Sequence, residues 1–347
     1  MTDTIRCGVI GYGGAFNMGR AHANYVTATE GLLLTGICDV DPARTQAAAE
    51  DFPGVETYNS VEKMLQAKDI DLVVIVLPHN LHAQVSIQCS QAGKHVVVEK
   101  PMCITVDEAT RMIAAAREAN RMLSVFHNRR QDGDYSKLRE IVVEKKLLGE
   151  VFAVEIFSGG YRRPNPDWWR SSKEISGGQF YDWGAHFLDW MLGLIPGPMQ
   201  SVTGFFHKRV WHEVTNEDQV QAIIKFSSGC IANVQMSDIA HANKPRWWIL
   251  GEKGAVVDRG GYFEVTGDFK AQDYPATLHV PYDTSSEWQT YYANIAEHLL
   301  HGADLWVKPE QARRVIAVLE TAEISSKEGR SLPLATEAED AHFTRTN

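Results

Sequence analysis

Two residues four positions apart, Asp182 and His186, are the pair best suited to proton chemistry in this chain of 347 residues. If the stretch from Tyr181 to Leu194 is helical, the two side chains lie on the same face. A carboxylate beside an imidazole can fix the ring tautomer and stabilise the imidazolium that forms when the ring takes up a proton. The spacing therefore predicts a general base, although a purely structural helix pair has the same spacing.

Lys100 is a third residue that is positioned for chemistry. It lies in Glu99-Lys100-Pro101, directly after the apolar run His95–Val98. This is the carboxyl end of a predicted parallel strand, where open α/β folds bind ligands. The ammonium of Lys100 could stabilise developing alkoxide charge or relay a proton. The alternative is that Lys100 is only a salt-bridge partner of Glu99.

A glycine turn follows the first predicted strand, Ile5–Ile10. A dinucleotide fold needs glycine at this point because the chain turns tightly and its backbone approaches the pyrophosphate. The amides at the start of the next helix then point at the phosphates. Four residues before Gly19 make the loop longer than a simple G-x-G-x-x-G. We predict that the cofactor contacts Gly11, Gly13, Gly14, Phe16, Asn17 and Met18.

Asp39 ends the second predicted strand, Leu32–Cys38. A carboxylate there can accept hydrogen bonds from both ribose hydroxyls of NAD and would repel the 2′-phosphate of NADP. The alternative is that Asp39 caps the helix that begins at Pro42, a role that we assign to Asp41. Arg44 could still accommodate a phosphate. The sequence thus predicts NAD as the cofactor, with NADP the less favoured choice.

The elements that carry these residues fall into two patterns. Residues 1–127 alternate short apolar strands with amphipathic helices, which predicts a doubly wound parallel sheet and a dinucleotide-binding domain. Residues 128–347 contain longer segments with period-two alternation, which predict an antiparallel or mixed sheet. These segments are Val151–Phe157, Gln219–Phe226 and Cys230–Met236, the last two joined by a hairpin turn, and helices are predicted at Tyr135–Lys146, Ser286–Leu300 and Pro309–Lys327.

Several motifs, in this order, resemble the Gfo/Idh/MocA family of glucose–fructose oxidoreductase and inositol 2-dehydrogenase. The resemblance covers nearly the whole chain. The motifs are the glycine turn with Gly19-Arg20-Ala21-His22, then Pro78-His79-Asn80-Leu81-His82, the segment Gly93 to Pro101, Gly177-Gly178, and Asp182-Trp183-Gly184-Ala185-His186. The combination of Glu-Lys-Pro with a downstream Asp-x-x-x-His is more specific than the glycine turn.

The resemblance implies a Rossmann domain in residues 1–127 followed by a substrate-binding and oligomerisation domain in residues 128–347, an α/β domain with a large open, mostly antiparallel sheet that in this family commonly forms a dimer or tetramer interface. It also implies that Lys100, Asp182 and His186 correspond to the family's catalytic lysine, aspartate and histidine. We assign His186 as the base, Lys100 as the electrostatic and relay group, and Asp182 to orientation and substrate binding; the first two roles can be exchanged. Residues 126–132 look most like the scyllo-inositol dehydrogenase-like branch, which often favours NADP, in contrast to Asp39.

Further residues are predicted to contact the cofactor and the substrate. Aromatic rings stack on sugars and arginines grip hydroxyls or anions, but such residues are also enriched at subunit interfaces. His82, placed on the cofactor side, could instead only pack within its helix. The additional cofactor-binding residues are Leu77, Pro78, His79, Asn80, His82, Glu99, Lys100 and Asn128, and those for substrate are Lys100, Tyr161, Arg163, Trp169, Arg170, Asp182 and His186.

Composition excludes several classes of function. The formal net charge of −10 and the lack of a basic stripe argue against a nucleic-acid partner. The N-terminus has no signal-peptide pattern, and the longest apolar run, Leu72 to Pro78, is too short to cross a bilayer. The five cysteines have no metal-ligand spacing. We therefore expect a cytoplasmic protein without a metal site or a membrane partner.

The leading interpretation is an NAD(P)-dependent dehydrogenase or reductase that acts on a secondary alcohol of a sugar, a cyclic polyol or a sugar derivative. A second hypothesis is an NAD-dependent glycoside hydrolase that oxidises its sugar transiently, with the arginine-rich loop holding an acidic glycoside. A third is a non-catalytic cofactor-binding sensor, which would have no need of Lys100, Asp182 and His186. The partners expected are a small sugar or polyol and further copies of the chain.

Overall fold

The computed structural model describes residues 4–13, 16–269 and 276–343, and the chain forms two compact units. The first unit groups Met1–Cys103, Asp107–Asn128 and Glu287–Ala312, and the second groups Ile104–Val106, Arg129–Ser286 and Arg313–Asn347. The division near residue 127 was expected, whereas the return of residues 287–312 to the first unit was not. That return follows from burial, because Tyr291, Tyr292 and Ile295 in this segment are fully covered.

The first unit contains a parallel sheet of six strands in the order β3-β2-β1-β4-β5-β6 among its described residues. The strands are β1 Ile5–Ile10, β2 Leu32–Cys38, β3 Glu56–Tyr58, β4 Leu72–Ile75, β5 His95–Val98 and β6 Leu123–Val125. Its helices are α1 Met18–Ala28, α2 Pro42–Asp51, α3 Val61–Leu65, α4 His82–Gln91, α5 Val106–Glu118 and α9 Thr290–His301. This confirms the predicted doubly wound sheet.

Local sequence explains most of these elements. β4 is buried along its whole length, as a strand covered on both faces must be. Asp41 caps α2 by accepting a hydrogen bond from the amide of Ala43, which agrees with the assignment of the cap to Asp41. β3 was not predicted from the sequence, because its three residues are polar and lie at the edge of the sheet.

The second unit contains a mixed, mostly antiparallel sheet of eight strands in the order β14-β13-β12-β11-β7-β10-β9-β8 in the part of the chain described. Only the β7–β10 pair is parallel among these neighbours. The strands are β7 Val151–Gly159, β8 Met199–His207, β9 Gln219–Phe226, β10 Ile231–Ser237, β11 Trp247–Gly251, β12 Gly254–Asp258, β13 Tyr262–Gly267 and β14 Ala276–Pro281. The predicted open, mostly antiparallel sheet is therefore confirmed.

The second unit also contains helices. They are α6 Gly133–Arg139, α7 Lys173–Ser176, α8 Gln179–Leu194, most of α10 Pro309–Glu328, and α11 Glu337–Asp340. β9 alternates buried and partly exposed residues, which confirms the predicted period of two, and Gly229 turns the β9–β10 hairpin with a φ of 89°. α8 packs on β9 and β10 and is buried along most of its length, so the side chains that it presents are held rigidly.

Candidate active site

The glycine turn after β1 is packed too tightly for side chains. Gly11 has a φ of 95°, and a Cβ there would lie 1.9 Å from the carbonyl oxygen of Val76. A Cβ on Gly19, in the first turn of α1, would lie 2.2 Å from the carbonyl oxygen of Gly11. Gly19 thus provides the close approach of helix to strand that the third glycine of a dinucleotide motif provides. The loop is extended, but the helix still begins against the turn.

Asp39 is fixed beside this turn. Its Oδ2 accepts a hydrogen bond of 2.8 Å from the amide of Tyr12, and its Oδ1 accepts one of 2.9 Å from the amide of Asp41. The side chain is partly exposed at the carboxyl end of β2. The narrow turn and an oriented carboxylate fit the pyrophosphate and the adenosine ribose of a dinucleotide, the groups that this kind of turn binds.

The other predicted cofactor residues of the first unit surround the carboxyl ends of its strands. Phe16 and Asn17 are exposed in the loop before α1, which begins at Met18, whereas Gly14 lies outside the described residues. Arg44 is half-exposed, with Nε 3.8 Å from Asp41 Oδ2. Leu77 and Pro78 follow β4, His79 is buried, Asn80 is exposed, and Asn128 is buried after β6.

His82 is placed differently from its neighbours. Its ring is fully buried, and its two nitrogens each lie 2.8 Å from a backbone carbonyl oxygen, that of Leu77 and that of Pro101. These contacts tie the residues after β4 to those after β5. They favour a packing role for His82, although its partners lie outside α4 and not within the helix, as the alternative had expected.

Glu99 and Lys100 directly follow β5, and a cis peptide bond joins Lys100 to Pro101. Glu99 Oε2 accepts a hydrogen bond of 2.9 Å from the Lys100 amide, and Oε1 lies 3.0 Å from Nε2 of His22. Burial raises the pKa of Glu99, but the hydrogen bond from His22 and the charge of Lys100 outweigh it, so the pKa lies below its usual value. Glu99 is therefore an anion at neutral pH.

Asp182 and His186 lie one turn apart on α8, which confirms the predicted helix. Asp182 Oδ1 accepts a hydrogen bond of 2.9 Å from Arg170 Nη1, and Arg170 in turn lies over the ring of Trp169, 4.7 Å from its centroid. His186 is almost fully buried beside Trp183. The structure thus brings together the predicted Trp169, Arg170 and Asp182 within the second unit.

Tyr161 and Arg163 contact residues of the second unit other than Trp169, Arg170 and Asp182. Tyr161 stacks on His241 with ring centroids 4.1 Å apart, and Arg163 Nε donates to Glu213 Oε1 at 2.7 Å. Arg162 pairs with Asp238 at 3.4 Å. The arginines of this loop are therefore already matched by carboxylates.

Two arginines that precede α6 contact α8 and had no assigned role. Arg129 lies over the ring of Trp183, 4.4 Å from its centroid, and donates to Asp132 at 2.8 Å. Arg130 forms a buried two-point ion pair with Asp189 of α8. The run Asn128-Arg129-Arg130-Gln131-Asp132 indicated the charges but not their partners on α8, because Trp183 and Asp189 are far from this run in sequence.

Arg129 also lines a polar cavity of about 890 Å³ in the second unit. Arg246 and Asp134 both line this cavity and form an ion pair of 2.9 Å. Burial raises the pKa of Asp134, and Arg246 offsets only part of that rise. A cavity with charges of both signs offers donors and acceptors to a ligand rich in hydroxyl groups.

The described residues contain no cluster of three or more His, Cys, Asp or Glu side chains arranged to hold a metal ion. None of their helices combines the length and the apolar character needed to span a membrane.

Comparison with known proteins places this geometry in a family. Residues 5–127 match the model of an oxidoreductase family with an NAD-binding Rossmann fold, and residues 135–257 match the GFO/IDH/MocA C-terminal domain. The chain is 29% identical to a scyllo-inositol 2-dehydrogenase (NADP(+)) of Bacillus subtilis, with 96% of each chain covered. It is 27% identical to a myo-inositol 2-dehydrogenase of Thermotoga maritima, over 73% of this chain and 74% of that one.

A solved structure agrees with the assignment. The oxidoreductase yvaA of Bacillus subtilis is 28% identical and superposes with a TM-score of 0.85 over 96% of this chain and 99% of that chain. The predicted resemblance and class of enzyme are thus confirmed. The chain belongs to the Gfo/Idh/MocA family and is an NAD(P)-dependent oxidoreductase.

Proposed function

We propose that the protein transfers a hydride between a nicotinamide cofactor and a secondary alcohol of a cyclic polyol, a sugar or a sugar derivative. The observation that carries this proposal is the pair Asp182 and His186, one turn apart on a buried helix, with Asp182 held by Arg170, in a chain of this family. The names of the two inositol dehydrogenase relatives support an inositol-like substrate.

The chain's own residues have distinct roles in this proposal. A bound nicotinamide supplies the hydride chemistry. Oxidation of an alcohol also requires removal of its hydroxyl proton, which we assign to His186. Asp182 binds and orients the substrate and the ring, and Lys100 stabilises charge on the alcohol oxygen and relays the proton. The alternative mechanism, which is also to be tested, has Lys100 as the base and His186 as the electrostatic and relay group.

We further propose NAD as the cofactor. The support is Asp39, whose carboxylate is held by two backbone amides at the end of β2. A negative charge fixed there accepts hydrogen bonds from ribose hydroxyls and repels a 2′-phosphate. The name of the Bacillus subtilis relative specifies NADP(+). The cofactor preference proposed here therefore differs from that of the relative.

Replacing Asp39 by alanine is expected to raise the Kd for NADH by about 10- to 100-fold, since hydrogen bonds to a charged group contribute about 1.5–3 kcal/mol. The Kd for NADPH should fall or stay constant, because the repulsion is removed. Titration of both nucleotides by fluorescence measures the ratio. Glu50→Ala is the control, since it removes an exposed carboxylate near the other end of α2 and should leave the ratio unchanged.

A panel of compounds tests the reaction itself. Inositols, aldoses and aryl glycosides are incubated with NAD and with NADP, and both reduced nicotinamide and released aglycone are followed. Reduction of the cofactor by a free polyol supports the proposal. Release of aglycone without net NADH would instead identify the redox-neutral glycoside hydrolase. The pairing of Arg162 and Arg163 with Asp238 and Glu213 leaves that alternative with less support.

We also propose that the protein is cytoplasmic and assembles as a homodimer or homotetramer through the sheet of the second unit. The support is the family and two exposed apolar side chains on that sheet, Phe205 and Ile231. Light scattering coupled to size-exclusion chromatography measures the mass, and a monomer at micromolar concentration would contradict the proposed assembly.

A further inference from the structure

A chain of buried polar groups in the first unit leads to Glu99. The hydroxyl of Tyr292 lies 2.5 Å from Nδ1 of His22, and Nε2 of His22 lies 3.0 Å from Oε1 of Glu99. His22 and Tyr292 are fully buried. The three residues come from α9, α1 and the end of β5, so that segments far apart in sequence meet at one carboxylate.

The directions of the hydrogen bonds follow from the chemistry of the groups. Burial raises the pKa of Tyr292 well above its usual value, so its hydroxyl keeps its proton. We assign the Tyr292 hydroxyl as the donor to Nδ1, because the ring then carries its hydrogen on Nε2 and donates it to the carboxylate of Glu99. Each buried polar atom in this series then has a partner, as buried polar groups require.

The surroundings of His22 hold the ring in place. Phe126 packs against it with ring centroids 4.4 Å apart, and Tyr25 lies 6.3 Å away. A ring confined by aromatic side chains cannot turn without disturbing the core. The position of Nε2, and with it the position of the Glu99 carboxylate, is therefore determined by packing.

The other oxygen of Glu99 carries the effect to Lys100. Oε2 accepts the hydrogen bond of 2.9 Å from the backbone amide of Lys100. Because His22 holds the Glu99 carboxylate, the carboxylate in turn fixes the backbone of Lys100, to which the lysine side chain is attached. A functional group needs such support, because a displacement of about 1 Å can cost about 100-fold in rate.

We infer that His22 and Tyr292 are positioning residues, which act through Glu99 to orient Lys100 for the transfer of the proton from the alcohol. This inference rests on the proposed role of Lys100. Through Tyr292, α9 then contributes to the position of Lys100, although this helix comes from the C-terminal part of the chain.

The test compares variants of the full chain with matched changes in burial. His22→Leu should lower kcat by about 100-fold and Tyr292→Phe by about 10-fold, with the Kd for NADH within about twofold of the wild type. His22→Gln should recover most of the loss, because its amide can still donate to Glu99. The assay uses the panel compound that the wild type oxidises fastest.

Tyr291→Phe is the control for Tyr292→Phe. Tyr291 is the adjacent residue, is equally buried, and donates a hydrogen bond of 2.7 Å to Ser124 Oγ. Its loss should leave kcat within about twofold, since that bond does not reach Glu99. Equal losses of kcat in the two tyrosine variants, or a His22→Gln variant as slow as His22→Leu, would show that the network only packs the core.

A readout without turnover separates this inference from the proposed function. Hydrogen exchange of the Lys100 amide, followed by mass spectrometry, should become about tenfold faster in His22→Leu and Tyr292→Phe and stay constant in Tyr291→Phe. Unchanged exchange overturns the inference. If Lys100→Ala keeps its activity, the proposed role of Lys100 fails, and with it the catalytic purpose of the network, even where exchange shows that the network holds the amide.

Discussion

Lys100→Ala and His186→Ala are each expected to lower kcat by about 10³-fold or more, because each removes a group that moves the proton or stabilises charge on the alcohol oxygen. The Kd for NADH should change by no more than a few-fold in either variant. The measurement is steady-state turnover of the best panel compound, together with titration of NADH. A loss confined to kcat identifies a group that acts in the transition state.

The same motif provides a control lysine. Lys94 lies six residues before Lys100, is mostly buried, and donates hydrogen bonds of 2.8 Å to the carbonyl oxygens of Ala67 and Ile70. Lys94→Ala should therefore lower thermal stability and leave kcat of the folded enzyme close to the wild type. A Lys100→Ala enzyme as active as Lys94→Ala would refute the catalytic assignment.

The pH dependence of these variants distinguishes the two possible role assignments. If His186 is the base, the acid limb of the kcat profile belongs to its imidazole and should disappear in His186→Ala while the residual rate of Lys100→Ala keeps it. If Lys100 is the base, the limb should instead disappear in Lys100→Ala. The two profiles are measured with the same compound.

The second large effect is on stability. Asp189→Ala is expected to lower the free energy of unfolding by about 3–5 kcal/mol, because it leaves the buried guanidinium of Arg130 without its carboxylate. The side chains of Arg130 and Asp189 are 5% and 3% exposed, so solvent cannot replace the lost partner. Urea denaturation followed by tryptophan fluorescence measures the change.

An exposed pair provides the comparison. Arg111 and Asp107 form a pair at 2.8 Å on α5 with side chains that are 58% and 77% exposed. Asp107→Ala should cost less than about 1 kcal/mol, since water solvates the freed guanidinium. The double variant Arg130→Met/Asp189→Leu should regain most of the stability that Asp189→Ala loses. Equal losses in Asp189→Ala and Asp107→Ala would contradict the burial argument.

Local patterns determined much of the site. The glycine turn, the cap at Asp41 and the helix that carries Asp182 and His186 were predictable, because each depends on residues within a few positions of one another. The alternation along β9 predicted its hairpin for the same reason. The stacking of Arg129 on Trp183 was not predictable, because it depends on which surfaces of distant segments are buried together.

By itself, the sequence determined the family, the residue types available for chemistry, and the alternation of strands and helices in the first domain, whereas β3 and β8 were not predicted. Only the tertiary structure decided which groups meet. It joined Tyr292 to His22 and Glu99 across 270 and 77 positions of sequence, and it made Gly19 the point of contact between α1 and the turn. Periodicity records only whether a side chain is buried, whereas its partner is chosen by the packing of whole elements.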